Sequence, residues 1–286
     1  METRTLATPE VDLVHDVAGS LPSADGRPPL LMIGQPMDAS GFHTLASHLP
    51  DRTVVTYDPR GLGRSVRHDG RDDSDPEVQA RDLHALVTSL GVGPVDVFAS
   101  SGGAVTGLAW ITMFPDDVAT LVAHEPPVLP LLPDADAARH AMARVDEAYA
   151  AKGWGAGMAG FMGLTSWRGE FTDAFFAQPL PDPAAFGMPT EDDGSRDDPL
   201  LSDRAAAMIA YVPDIGALAA APARIVVGVG EESRDQFPGR AAEALAQRLG
   251  QEVVVFPSHH GGFGGEDSPW PGQATAFAGR LAEVLG

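Results

Sequence analysis

Short apolar runs alternate with helical patterns along most of this 286-residue chain, and this alternation constrains the fold more than any other feature. A strand that is buried on both faces is apolar throughout, whereas a strand with one wet face alternates. Strands that are separated by helices build a parallel sheet with crossover connections. We therefore predict an α/β fold. The six runs of buried character are Leu30–Ile33, Val54–Tyr57, Val95–Ala99, Leu121–Ala123, Ile225–Val229 and Val253–Phe256.

The segments around these runs complete the predicted core. Val11–Ala18 alternates apolar and polar residues, which is typical of an edge strand that is exposed on one face. Helical patterns occupy Val78–Leu90, Val105–Met113 and Arg240–Leu249, the last ending at Gly250. The expected sheet is mostly parallel and twisted, with helices on both faces.

The charge of the chain excludes several classes of partner. Lys and Arg number 19 against 40 Asp and Glu, which gives a formal net charge of −21. Nucleic acids and anionic membranes would be repelled, and no cluster of basic residues offsets this.

The chain has no cysteine, so disulfides, zinc–thiolate sites and thiol nucleophiles are excluded. Neither a signal peptide nor a membrane span is apparent, so a cytoplasmic location is expected.

The strand rhythm stops between about Pro126 and Pro222. This stretch has no convincing strand and is rich in Met, Phe and Trp, which indicates a helical insertion. We predict a core formed by residues 1–127 and 222–286 and a helical cap over residues 128–221. The large apolar residues of the insertion are Met142, Met158, Phe161, Met162, Trp167, Phe171, Phe175, Phe176, Phe186 and Met208.

A strand, a very tight turn and a helix follow one another around Ser101. The residue at such a turn is under backbone strain, and the positions two before and two after it must be small so that strand and helix can approach. Ala99 and Gly103 satisfy this for Ser101, whereas Phe98 would clash if Ser100 took the place. We predict Ser101 as a nucleophile, the alternative being a Ser/Gly-rich helix N-cap.

This turn resembles the nucleophile elbow of the α/β-hydrolases, with Ala99 at the first Gly of G-x-S-x-G. Leu30–Pro36 resembles the family's strand and turn that supply an oxyanion donor, and Val54–Ser65 its structural D-x-R-G-x-G-x-S turn. The resemblance implies that the backbone N–H groups of Gln35 and Gly102 hold the oxyanion. It also implies a helical cap inserted after the sixth strand.

A serine hydroxyl is a weak nucleophile until an imidazole takes its proton. In the family this histidine follows the last strand, and both His259 and His260 do so here. We prefer His260 as the base because Gly261 follows it. His259 is the alternative base, and if it is not the base we expect its side chain to hydrogen-bond to the loop backbone. His124 is expected to be a packed neighbour. No histidine pair has metal-ligand spacing with carboxylates nearby, so neither a metal nor a cofactor is expected.

The imidazole needs a carboxylate partner, and two places could supply one. After Ile225–Gly230 the family's usual Asp is replaced by Ser233, which leaves Glu232 and Asp235 as candidates. Glu125 at the end of the preceding strand is the other candidate. The segments Ser-Ser-Gly and His-Glu together resemble the fungal zearalenone lactonases, in which the acid is a Glu at this position. We prefer Glu125 and keep the other two as alternatives.

These residues predict a serine hydrolase that cleaves an ester or lactone through an acyl-enzyme. The aromatic and thioether content of the insertion favours an apolar small molecule, with Trp154 and Trp167 as expected contacts. The lactonase resemblance extends this to a macrolactone such as zearalenone. The sequence leaves open whether two copies of the chain form a homodimer.

Two other functions remain as alternatives. One is different chemistry on the same triad, such as a perhydrolase- or haloperoxidase-like reaction or carbon–carbon bond hydrolysis. The other is a non-catalytic protein that binds a small ligand on the hydrolase scaffold.

Overall fold

A computed structural model describes residues 1–268 and 270–286 of the chain. Within these residues, one sheet contains nine strands in the order β1-β2-β4-β3-β6-β7-β8-β9, with β5 paired to β2. The strands are β1 (Glu2–Ala7), β2 (Val11–Ala18), β3 (Leu30–Gln35), β4 (Val54–Tyr57), β5 (Val66–Arg67), β6 (Val95–Ser101), β7 (Val118–His124), β8 (Arg224–Gly230) and β9 (Val254–Phe256).

Strands β3, β4 and β6 to β9 run parallel, whereas β1, β4 and β5 pair antiparallel with β2. The predicted fold class is confirmed. The helices are α1 (His43–Ser47), α2 (Pro76–Leu90), α3 (Gly102–Met113), α4 (Ala135–Lys152), α5 (Trp154–Ser166), α6 (Asp173–Phe176), α7 (Ala206–Ala210), α8 (Ile215–Ala220), α9 (Phe237–Arg248) and α10 (Ala274–Leu285).

The prediction of an edge strand at Val11–Ala18 was wrong. This strand, β2, lies between β1 and β4, and β1 forms the edge. Strand β1 is polar and exposed along almost its whole length, so its sequence lacks the apolar run that would predict a buried strand. The insertion predicted after the sixth strand follows β7. This is the seventh strand in chain order, because β1 and the two-residue β5 also precede it.

Two apolar clusters lie on opposite faces of the sheet. One combines strand residues with α2, α3 and α9 and includes the fully buried Trp110. The other combines strand residues with α1 and α10 and includes Phe98 and Phe277. This covering on both faces explains the uninterrupted apolar runs of the central strands.

Helices α4 to α8 all lie between β7 and β8, where the sequence predicts an insertion. Met142, Phe171 and Met208 of this segment are buried, whereas Phe186 is exposed. The division into a core and a cap stays a prediction. In the described part of the chain, no helix combines the length and the apolar character needed to cross a bilayer.

The carboxyl ends of parallel strands meet at one edge of a sheet, where α/β proteins bind their ligands. Gln35 ends β3, Ser101 ends β6 and Gly230 ends β8. Glu125 follows β7 directly, and His260 lies in the loop after β9. The topology therefore places all the sequence-predicted chemistry at this edge.

Candidate active site

Ser101 occupies a strained turn between β6 and α3. Its backbone has φ 56° and ψ −128°, a conformation that residues other than glycine rarely adopt. A residue held in this way costs on the order of 1–3 kcal/mol and persists only where its surroundings fix it. A Cβ at Gly103 would lie 2.5 Å from the Ile33 carbonyl oxygen, so helix and strand could not approach with a larger residue. The elbow geometry expected around Ser101 is present.

Gln35 lies beside Ser101, with which it pairs in register across β3 and β6. Its buried side chain donates from Nε2 to Ser74 Oγ at 2.8 Å. Gly102 begins α3, so its N–H belongs to the first helical turn, which has no intrahelical acceptor. A Cβ at Gly102 would lie 2.8 Å from the Gln35 carbonyl oxygen, which shows how closely the two segments approach. Their role as oxyanion donors stays a prediction.

Glu125 is completely buried and is held by contacts on both carboxylate oxygens. Oε2 lies 2.5 Å from His260 Nδ1. Oε1 accepts hydrogen bonds from the Gly230 N–H at 2.8 Å and from the Ser233 hydroxyl. The Glu125 backbone has a positive φ of 48°, and its N–H donates to the Gly228 carbonyl at 3.0 Å. The local backbone is therefore distorted in a way that directs the carboxylate toward the loop that carries His260.

The electrostatics of Glu125 favour its charged form. Burial by itself raises the pKa of this carboxyl, but the hydrogen bond and charge of His260 and the hydrogen bond from Ser233 outweigh it and lower the pKa to about 2. Because the carboxylate is ionised at neutral pH, His260 Nδ1 carries the proton in the contact. In the tautomer that this contact selects, Nε2 is the acceptor nitrogen of the ring.

The His260 side chain is 37% exposed, so solvent reaches the imidazole. Within residues 1–268 and 270–286, no hydrogen bond joins Ser101 to His260. Catalytic hydrogen bonds are often long in unliganded enzymes and shorten when substrate binds. A contact between Ser101 and His260 thus stays a prediction.

The two alternative acids lie on the exposed side of the segment that follows β8. Glu232 and Asp235 are both exposed, and Asp235 Oδ2 lies 3.8 Å from Arg168 Nη1. The Glu232 carbonyl accepts a hydrogen bond from Arg168 Nη2 at 3.1 Å. Ser233, between them in sequence, is the residue that points inward. The structure brings Glu125, and not these two carboxylates, to His260.

His259 bonds to the backbone of its own loop through both ring nitrogens. Nδ1 accepts from the Gly261 N–H at 3.1 Å, and Nε2 lies 3.2 Å from the Pro271 carbonyl oxygen. This is the arrangement expected of a loop side chain. His259 braces the loop that presents His260.

His124 is completely buried, and neither ring nitrogen has a hydrogen-bond partner among the described residues. Its ring lies 5.2–6.4 Å from four phenylalanine rings. Burial lowers the pKa of His124 to about 4, so the imidazole is neutral at neutral pH. The four rings are those of Phe98, Phe256, Phe263 and Phe277.

The two tryptophans named as substrate contacts are half-buried in the segment between β7 and β8. Trp154 donates its indole N–H to the Asp198 carboxylate, and Trp167 donates to the Glu170 carbonyl, each at 3.0 Å. Both polar groups are therefore satisfied within this segment. Contact with substrate stays a prediction for both residues.

Sequence reasoning missed the roles of Ser233 and Ser74. In the sequence, Ser233 stands out only because an acid is absent there, although a hydroxyl at that place is itself a signal because it can donate to a neighbouring carboxylate. Ser74 lies in a polar loop and gave no signal. Its partner Gln35 becomes apparent only in the folded structure.

Comparisons with known proteins concern the chain as a whole. A profile described as "Alpha/beta hydrolase family" matches residues 11–276. The chain is 30% identical over 264 residues to a protein of Bacillus subtilis (strain 168) described as uncharacterized hydrolase YraK, covering 91% of this chain and 89% of that protein.

Two solved structures share the fold. A thermophilic esterase from Thermogutta terrifontis has a TM-score of 0.64 and 23% identity, with 100% of this chain and 98% of that chain covered. The enol-lactonase from Burkholderia xenovorans LB400 has a TM-score of 0.64 and 17% identity, with 99% of each chain covered. At these identities the similarity concerns the fold alone.

Proposed function

The chain belongs to the alpha/beta hydrolase family, and from this premise we propose that it hydrolyses an ester or lactone of an apolar small molecule, with Ser101 as nucleophile. His260 is the general base and Glu125 its acidic partner. The proposal is supported by the positions of Ser101, Glu125 and His260 after β6, β7 and β9, whose carboxyl ends lie at one edge of the sheet.

In the first half-reaction, Ser101 Oγ attacks the carbonyl carbon while His260 Nε2 takes the hydroxyl proton. The resulting oxyanion accepts hydrogen bonds from the backbone N–H groups of Gln35 and Gly102. The intermediate then collapses, the carbon–oxygen bond breaks, and the imidazolium gives its proton to the leaving alkoxide. An acyl-enzyme and an alcohol, or the opened lactone still attached to the serine, result.

In the second half-reaction, water attacks the acyl carbon and His260 takes its proton. The second tetrahedral intermediate expels Ser101 Oγ, which recovers the proton from His260. The carboxylic acid leaves and the enzyme returns to its starting state. Throughout, the ionised Glu125 stabilises the imidazolium without taking its proton. The proposed steps require neither a metal nor a cofactor.

The contact of 2.5 Å between Glu125 Oε2 and His260 Nδ1 carries this proposal. Three hydrogen-bond partners keep this fully buried carboxylate ionised beside a partly exposed imidazole, and a buried group with so specific a partner is typical of functional sites. The strained backbone of Ser101 points the same way, because such strain concentrates at functional sites.

The substrate class is argued from the segment between β7 and β8. Its half-buried Trp154, Met158, Phe161 and Trp167 pack beside the main apolar cluster and favour an apolar acyl or alcohol group. A macrolactone of the zearalenone type extends this proposal, supported by the Ser-Ser-Gly and His-Glu segments. With a net charge of −21, neutral substrates are favoured over polyanions.

Steady-state kinetics on a chromogenic butyrate ester, a resorcylic macrolactone and a carbon–carbon hydrolase substrate test the proposal. We expect turnover of the ester and the lactone, and a loss on the order of 10⁴-fold or more in Ser101→Ala at unchanged melting temperature. Turnover of the carbon–carbon substrate alone would favour the other chemistry. Tight ligand binding without any turnover would favour a non-catalytic binding protein.

A further inference from the structure

We propose that Ser233 is a positioning residue for the reaction proposed above, on which this inference rests. The turn over residues 230–233 fixes one oxygen of the Glu125 carboxylate, so that the other oxygen faces His260 Nδ1. Ser233 touches neither the substrate carbonyl nor the imidazole in this scheme. It acts through Glu125.

The contacts divide the two oxygens of Glu125 between two tasks. Oε1 accepts from the Gly230 N–H and the Ser233 hydroxyl, and Oε2 contacts His260. Glu125 and Ser233 are both 0% exposed, so bulk water has no access to replace the hydroxyl. The last torsion of a glutamate side chain has broad wells and sets no orientation by itself. The two donors therefore supply the orientation.

The same turn is joined to the loop that carries His260. The Glu231 N–H donates to the Phe256 carbonyl at 2.9 Å, and the Glu232 N–H donates to the Ser258 carbonyl at 3.0 Å. Two successive backbone hydrogen bonds thus hold the turn against the start of this loop. Because one rigid unit carries both the Ser233 hydroxyl and the imidazole, the carboxylate is positioned relative to its partner.

The space for the Ser233 hydroxyl depends on Gly230. A Cβ at Gly230 would lie 2.7 Å from Ser233 Oγ and 2.9 Å from the Ser258 carbonyl oxygen. A side chain there would displace either the hydroxyl or the loop. The absence of a Cβ lets both donors reach the same oxygen of Glu125.

The first test is a double-mutant cycle on the ester reaction. We expect Ser233→Ala to lower kcat about 10-fold with KM unchanged, because Ser233 orients a group that acts on the imidazole. In a Glu125→Gln background the same substitution should change kcat by less than about 2-fold, because the carboxylate through which it acts is gone. An unchanged kcat in Ser233→Ala, or an equal loss in both backgrounds, would overturn the proposal.

A matched pair of variants separates the hydroxyl from packing. Thr and Val have nearly the same shape and differ in the hydroxyl, so Ser233→Thr should keep more of kcat than Ser233→Val by about 10-fold. Equal kcat in the two variants would contradict the proposal. This pair also decides the matter if Ser233→Ala does not fold.

Proton NMR supplies a readout that does not depend on turnover. The His260 Nδ1 proton should give a far-downfield signal in the wild type and lose it in Glu125→Gln. In Ser233→Ala we expect this signal to shift or broaden, whereas a purely structural role would leave it in place. If Ser101→Ala kept full activity, the proposed function itself would fail. If Ser101→Ala and Glu125→Gln were inactive while Ser233→Ala was unaffected, only the role of Ser233 would fail.

Discussion

Glu125 Oε2 and His260 Nδ1 lie 2.5 Å apart although 135 residues separate them in the chain. The long segment that contains α4 to α8 intervenes, and the sheet brings the two residues together because β7 pairs with β8 and β8 pairs with β9. This pair fixes the tautomer in which His260 Nδ1 carries a proton, and it leaves Nε2 as the nitrogen that acts as base in the proposed mechanism.

The choice of acid is tested by three isosteric substitutions measured side by side. Glu125→Gln should lower kcat by on the order of 10³- to 10⁴-fold, because the amide can no longer stabilise the imidazolium. Glu232→Gln and Asp235→Asn are matched controls on the exposed side of the same region and should stay within about 2-fold of wild type. A large loss in either control with an active Glu125→Gln would reassign the acid.

The two adjacent histidines should separate by phenotype. His260→Ala removes the general base and should reduce kcat on the order of 10⁴-fold or more with little change in melting temperature. His259→Ala removes two bonds to loop backbone, so we expect a lower melting temperature and a smaller loss of kcat. The reverse pattern would show that His259 is the base. Ester kinetics and thermal melts of both variants make the comparison.

The acid stability of the protein should depend on His124. Burial lowers the pKa of this imidazole to about 4 from a usual value of 6.5, against the charge of Glu125 and together with that of His260. The unfolded chain therefore binds more protons between pH 6.5 and 4, so the free energy of unfolding falls as the pH drops through this window. The loss amounts to about 3 kcal/mol.

His124→Leu removes this titration and should flatten the pH dependence of the free energy of unfolding between pH 6.5 and 4, measured by urea denaturation. Glu125 has a lowered pKa, so its stabilisation is lost only as the pH falls from 4.5 toward 2, and this lower window should persist in the variant. At neutral pH the variant should be at least as stable as wild type, because a buried imidazole without partners is replaced by an apolar group. An unchanged slope in the upper window would contradict the assignment.

The Gln35 turn should depend on Ser74. The Ser74 hydroxyl accepts from Gln35 Nε2 at 2.8 Å, and its N–H donates to the Arg204 carbonyl at 2.7 Å. Ser74→Ala leaves a buried amide N–H without its acceptor, which should lower the free energy of unfolding by roughly 1–3 kcal/mol. It should also reduce kcat, because the proposed oxyanion donor, the Gln35 backbone N–H, is held less firmly. Ser47→Ala, which removes an exposed hydroxyl bonded to the Thr44 carbonyl, is the control. Equal behaviour of the two variants would contradict this.

Much of the fold could be predicted because its signals are local. Runs of apolar residues marked the central strands, and the small residues around Ser101 marked the elbow within a few positions. Strand β1 could not be found in this way because it is polar and gains its place only by pairing with β2. The fold class is confirmed, whereas the division into core and cap stays a prediction.

The acid could not be decided from sequence because the decision is not local. Glu125, Glu232 and Asp235 all follow strands that end at the same sheet edge. Which carboxylate faces His260 depends on the positive φ of Glu125 and on the inward direction of Ser233, and neither follows from residue type. The site roles of these residues therefore remain predictions for experiment.

Reaction with a fluorophosphonate, followed by peptide mass spectrometry, tests the central claim most directly. A serine that is activated by an imidazole attacks phosphorus, the imidazole takes the hydroxyl proton, fluoride leaves, and the Oγ–P adduct remains, whereas an ordinary hydroxyl does not react. We predict one adduct, on the peptide that contains Ser101, lost in Ser101→Ala and strongly slowed in His260→Ala. A folded, ester-hydrolysing protein with no adduct on Ser101, or with the adduct on another serine, would contradict the account.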